Sequence, residues 1–172
     1  MQQVTDQPKT KEQPLISPAV LLDHWQAQRR LTRKVIAAFP EDAFVNYSVG
    51  GMRPFAEMVA EIIGMAHHGM NGIATGKWGN LMSTEHHGLP GNLMNKKDLL
   101  AQWDQLTHHI NSRWAEITLG RFLEIDMAFG LYENKNYSTI LYFIENEVHH
   151  RGQAFVFLRS LGIEPPAFWD TI

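Results

Sequence analysis

Four stretches of about twenty residues carry apolar side chains at helical spacing, and this pattern constrains the fold more than any other feature. The first runs from Ser17 to Ala38. Ser17 suits an N-cap and Pro18 suits the first helical position. Val20, Leu21, Trp25, Leu31, Val35 and Ile36 fall on one face, and Pro40 closes the segment. The second begins at Pro54 and reaches Thr75, with Phe55, Met58, Val59, Ile62, Met65, Ala66 and Ile73 as a broad stripe. The third covers Lys97 to Ile117 around Leu99, Trp103, Leu106, Ile110 and Trp114. The fourth covers Ser138 to Leu161, where Gly162 offers a left-handed stop and Pro165-Pro166 forbids continuation.

A one-faced helix must bury its stripe against another element, so four of them imply an all-α four-helix bundle. The connections over residues 76–95 and 118–136 are too long for a minimal up-down-up-down arrangement. Arg121 to Met127 has the character of an extended stretch. At 172 residues a single domain is expected over residues 15–172, preceded by a loose polar extension over residues 1–14. The extension lacks the apolar core of a signal peptide, and no apolar run approaches the roughly 20 residues of a membrane span. A cytoplasmic protein with no membrane partner is the expectation. Fifteen basic against eighteen acidic residues leave no electrostatic footprint for nucleic acid. With no cysteine, a disulfide framework, a thiolate zinc site and a cysteine nucleophile are excluded. Phosphate-binding, dinucleotide-binding, nucleophile-elbow and zincin motifs do not occur.

Histidine is the unusual residue. Of nine, eight stand in adjacent pairs: His67-His68, His86-His87, His108-His109 and His149-His150. Spacing separates them. Asn146 and His150 are four apart in the fourth helix, one turn apart on one face, in a row that continues with Phe143, Gln153 and Phe157. A polar pair in an aromatic, inward-looking row must find polar partners. In the second helix Glu61 intrudes beside the apolar stripe, between Met58 and Met65, whereas Glu57 can be solvated. His68 shares its side, but seven residues are about 10.5 Å of rise, too far for both to hold one ion.

The run His149-His150-Arg151-Gly152-Gln153, followed by Leu158-Arg159-Ser160-Leu161-Gly162-Ile163-Glu164-Pro165-Pro166, resembles the C-terminal signature of DinB/YfiT-like proteins. The segment Met52-Arg53-Pro54-Phe55-Ala56-Glu57-Met58-Val59-Ala60-Glu61 is similar to that family's second helix. The resemblance covers roughly residues 15–169 and implies an up-down-down-up bundle, often a homodimer, with a divalent metal held by three histidines. One ligand comes from the second helix and two, spaced four apart, from the fourth. Transferred onto this chain, the ligand positions fall on Glu61, Asn146 and His150, so two histidines are replaced. The resemblance further implies thiol-dependent transferase or isomerase chemistry in some members; the expectation for this chain is a small-molecule transferase or hydrolase with Zn, Ni, Mn or Fe as the candidate ion.

Two readings of the cluster stay open. Glu61, Asn146 and His150 could share a metal ion, with Glu a competent ligand and Asn a weak one. Alternatively, Glu61 facing His150 makes a metal-free acid–base dyad with Asn146 as a hydrogen-bond partner. The function is correspondingly either an enzyme acting on an unknown small molecule or a non-catalytic ligand-binding or stress-related bundle. Elsewhere the bland readings lead. His149, His108-His109 and His24 are expected on the surface, and His67-His68 either at a cavity mouth, in solvent or at a dimer contact. His86-His87, with Glu85, sit in a Gly/Pro loop. Gly152 is expected to admit a close helix, Arg151 to bond a carboxylate or helix terminus, and Phe168-Trp169 to fold over apolar surface of this chain or a partner. Trp78 is expected to cap the bundle end or border a pocket.

Overall fold

A computed structural model describes residues 15–79 and 95–172; the extension over residues 1–14 and the loop carrying Glu85, His86 and His87 lie outside them. The elements in order are α1 (Pro18–Ala38), α2 (Glu41–Asn46), α3 (Phe55–Thr75), α4 (Lys96–Trp114), α5 (Leu119–Leu123), β1 (Ile125–Ala128), β2 (Tyr132–Lys135) and α6 (Asn136–Ser160). The described residues are mostly helical, with one small antiparallel hairpin among them.

Local chemistry explains the boundaries. The Ser17 hydroxyl accepts from Val20 N–H and Pro18 opens α1, while Asn95 caps α4 through Asp98 N–H. Gly76 ends α3 in the left-handed region at φ 72°. Arg121 covers the carbonyls left there, donating to Ile73 and Gly72 while pairing with Asp126. The stretch from Arg121 was expected to be extended. It instead completes the turn of α5, capped by Thr118, and becomes extended only from Ile125.

Four long helices form a ring in which α1 touches α4 and α6, and α3 touches α4 and α6. Residue pairs give the directions. Gln26 bonds Asn111 while Arg33 bonds Asp104, so α1 and α4 run oppositely. Trp25 meets Phe143 and Gln28 meets Arg151, so α1 and α6 run the same way. Glu61 meets His150 and Gly69 meets Phe143, so α3 opposes α6. Trp25, Met70, Ile110, Ile140 and Phe143 form one end of the core, and Phe39, Phe55, Val59, Trp103 and Phe157 the other.

Close helix approach occurs at α3. A side chain at Gly69 would collide with the Phe143 ring, and one at Gly72 with Trp78. Gly152, expected to serve that purpose, is exposed and faces open space. Its neighbours four residues away on α6 are the exposed Val148 and Val156, so the helix turns this face outward. Trp78 lies over Gly72 and donates to Asp126, covering the end of α3. Phe168 and Trp169 stand exposed, edge to face on each other.

Candidate functional site

The antiparallel contact of α3 and α6 brings Glu61, Asn146 and His150 together. Glu61 Oε1 lies 3.2 Å from His150 Nε2 and accepts from Asn146 Nδ2 at 3.3 Å. Its other oxygen accepts from Arg53 at 2.5 Å. His150 Nδ1 is held 2.8 Å from Gln153 Oε1, one turn along α6. The imidazole is therefore fixed at both nitrogens, with an acceptor oxygen at each. That favours the doubly protonated ring.

The electrostatics follow from these contacts. The hydrogen bond from His150 is the main force lowering the Glu61 pKa to about 2; burial opposes it and Arg53 reinforces it. For His150, burial is the largest influence and disfavours the cation. The bonds to Glu61 and Gln153 together outweigh it, and the pKa rises above 6.5. Arg53 is half exposed, so the cluster opens to solvent at that side.

Fit to a divalent metal depends on the donors. Among the described residues no three His, Cys, Asp or Glu side chains are arranged to hold a metal ion. The Asn146 amide turns its nitrogen toward Glu61 and leaves Oδ1 buried without a partner. Arg53 already neutralises the carboxylate, and a second cation there is repelled. One carboxylate, one imidazole in a hydrogen bond and one neutral amide do not fit a transition-metal centre in this arrangement.

A second polar row lies one residue along α6. Glu147 is fully buried and accepts from Thr32 Oγ1 at 2.7 Å and Trp25 Nε1 at 3.3 Å, with Arg29 Nη1 3.8 Å away. Burial pushes its carboxyl pKa up, against the pull of Arg29. Arg29 stacks 4.1 Å over Trp103 and donates to Trp103 O and Thr107. Arg151 donates to Gln28 and Thr32 and does not bond a carboxylate or a helix terminus directly. Sequence reasoning passed over Glu147, although its spacing of four from Arg151 was the available signal.

The remaining histidines divide differently from expectation. His109 stacks on His67 at 4.1 Å across the α3–α4 contact, and its Nε2 lies 3.3 Å from His67 O. Burial, then His109, His68 and Arg113, push His67 down to about 4. His109 is therefore an interhelical residue, not a surface one, while His24, His108 and His149 are exposed.

A ring of four long helices with a carboxylate–imidazole pair lodged between two of them defines an all-helical bundle with an interhelical polar site. The chain belongs to the DinB family, whose model matches residues 1–171. Its fold is similar to a DinB-like protein of Bacillus subtilis (TM-score 0.66, 19% identity, 86% of this chain and 96% of that one). It is equally similar to a DinB-like protein of Bacillus cereus (TM-score 0.66, 18% identity, 87% and 95% covered). No curated protein matches the chain. No described helix is long and apolar enough to cross a membrane.

Proposed function

We propose that Glu61 and His150 form a metal-free acid–base pair acting on a small molecule bound between α3 and α6, in the manner of a transferase or hydrolase. The observation that supports this is the 3.2 Å contact of Glu61 Oε1 with His150 Nε2 at a solvent-open edge of the bundle. Glu61 orients the ring and favours its charged form, Gln153 fixes the other nitrogen, and Asn146 holds the carboxylate. A ligand hydroxyl or anionic oxygen that displaces Glu61 from Nε2 meets an acid there. Once that proton has gone, the same nitrogen is the base.

One observation favours a second reading, a non-catalytic ligand-binding bundle. Both ring nitrogens of His150 are already engaged by protein groups, so proton transfer requires one contact to be given up. A homodimer belongs to either reading. The outward side of α6 carries exposed Leu141, Val148 and Val156, and light scattering of the purified chain tests whether a second copy covers them.

The deciding experiment is metal analysis of protein purified without a histidine tag, paired with NMR titration of His150. Metal-free protein that resists loading with Zn²⁺, Ni²⁺, Mn²⁺ and Fe²⁺, with His150 titrating above its ordinary value, is expected. Near-stoichiometric metal that disappears in His150→Ala would overturn the proposal in favour of Glu61, Asn146 and His150 as ligands, with or without a thiol cosubstrate. An active acid–base pair further requires turnover that His150→Gln abolishes; binding without turnover leaves the second reading.

A further inference from the structure

A cavity of about 210 Å³ lies between the β1–β2 hairpin, α6 and Met65 of α3. Arg53, Glu61, Asn146 and His150 are not among its lining residues, so it is distinct from the polar cluster. The pleat sets what the hairpin contributes. Ala128 and Tyr132 are cross-strand partners and Asn134 follows Tyr132 by two, so all three present one face. Asp126 shares that face, but Arg121 matches its charge and Trp78 Nε1 donates to it. From α6 come Thr139, Tyr142 and Phe143, spaced three and four apart along one side.

The turn of the hairpin is strained at a residue that forms this wall. Leu131 N–H donates to Ala128 O at 3.0 Å, and φ is positive at both central residues, 54° at Phe129 and 73° at Gly130. A type I′ turn has that pattern, and its first central position favours Asn, Asp or Gly. Phe129 stands there instead, in a backbone conformation that a bulky residue rarely adopts. Its ring is buried, 5.3 Å from Trp78 and 6.4 Å from Phe143, and lines the cavity. Among the described residues it is the only one with a side chain at positive φ, and such strain concentrates at ligand sites.

Charge, shape and volume select the occupant. No lining side chain is charged at neutral pH, so a charged ligand would lose its water without gaining a counter-charge. Phe143 is steeply tilted to both Phe129 and Tyr142, at 61° and 66°, and such walls receive a further ring edge to face. An apolar cavity of about 150 Å³ accepts benzene. The 210 Å³ here leaves room for one ring with a short substituent. Two polar groups set what that substituent is. Asn134 Oδ1 accepts from Lys135 N–H at 3.1 Å, which leaves the amide hydrogens for an oxygen atom. The Thr139 hydroxyl donates to Lys135 O at 3.5 Å, which leaves its oxygen as an acceptor. A hydroxyl group matches both, since it accepts and donates.

We infer that this cavity is a binding site for a neutral monocyclic phenol, with the ring among Phe129, Tyr142 and Phe143 and the hydroxyl toward Asn134 and Thr139. The site stands independently of the acid–base reading of Glu61 and His150.

The probe is 4-methylphenol, titrated into the full chain while the methyl resonances of Met65 and Ala128 are followed by NMR. Both should shift saturably, and toluene should bind about fivefold more weakly for want of the hydroxyl. The anion 4-methylbenzoate and the cation tetramethylammonium should bind about tenfold more weakly than 4-methylphenol. Asn134→Leu, at an exposed position, should remove the preference over toluene. Ala128→Ile introduces a β-branched side chain that suits a strand, and should fill the cavity and weaken both compounds about tenfold. Phe129→Asn suits the left-handed turn position and removes the ring, with a similar loss. His150→Gln should leave 4-methylphenol binding unchanged. No saturable shift at Met65 and Ala128, toluene binding as tightly, or tighter binding of either ion would each overturn the inference. So would a preference that survives Asn134→Leu, full affinity in both Ala128→Ile and Phe129→Asn, or loss of affinity in His150→Gln.

Discussion

Helix α6 carries two polar pairs of identical spacing, Asn146/His150 and Glu147/Arg151, offset by one residue and hence by about 100° around the axis. The first pair faces α3 and meets Glu61 with Arg53, open to water at one side. The second faces α1 and is sealed against Trp25, Gln28, Arg29 and Thr32. The difference teaches what decides the role of a buried charge. At Glu147 every neighbour is a fixed protein group, and the contacts bind α1 to α6. At Glu61 the same carboxylate chemistry has a solvent edge beside the half-exposed Arg53, and on the proposed reading these are the contacts a ligand exchanges.

The strongest way to break this contrast is to uncouple the sealed row. Arg29→Met leaves Glu147 buried without its nearest cation, and chemical denaturation should show a loss of about 3 kcal/mol or more. Adding Glu147→Leu to Arg29→Met should recover much of that loss, because the buried carboxylate is then gone while Arg151 keeps its bonds to Gln28 and Thr32. A single change that costs nothing would show that the row carries no charge-pair role.

Acid sharpens the contrast next, through a third region. His67 binds a proton readily when unfolded, near pH 6.5, but only at about 4 when folded, so its contribution is present above 6.5 and is lost as pH falls toward 4. Glu61 stays ionised over that range because its folded pKa is about 2. His67→Phe, which keeps a ring against His109, should retain about 1–2 kcal/mol that the unaltered chain loses between those pH values. Equal acid sensitivity of the two proteins would assign the loss elsewhere.

In the open row, Glu61→Gln removes the charge of the acceptor that raises His150, which shifts the balance toward burial. The His150 pKa should fall relative to the unaltered chain, with a stability cost of about 1 kcal/mol. The sign has a pH signature. The His150 contribution is complete below pH 6.5 and fades as pH rises through its raised value. The cost of Glu61→Gln should therefore be larger at pH 6 than at pH 9. The smallest effect belongs to Gly152, one residue beyond Arg151. Gly152→Ala enters open space within a helix, and the melting curve should show a gain of about 0.5–1 kcal/mol. If a second copy packs on that face, the variant should instead weaken self-association.

Much of the fold was legible residue by residue. The four apolar stripes, Ser17 with Pro18, and the Gly162–Pro165 stop are each read from residues close together in the chain, and local chemistry is enough to read them. The grouping of Glu61, Asn146 and His150 was legible through the motif. Arg53 was quoted in that motif without a role, because nothing in the chain reveals that a residue before a helix reaches forward over two turns to Glu61. The hairpin was half seen, since Arg121 serves the end of α3 rather than a strand.

What the sequence by itself determined is the set of helices and their buried stripes, and it singled out His150 among nine histidines as the candidate. These depend on period and spacing, which are properties of neighbouring residues. Only the tertiary structure decided that Glu147 is sealed while Glu61 is open, that His67 stacks on His109, and that Gly69 rather than Gly152 receives a neighbour. Each of those outcomes depends on which face of one helix meets which face of another. The energies that choose the crossing are summed over the whole core, not written at any one position.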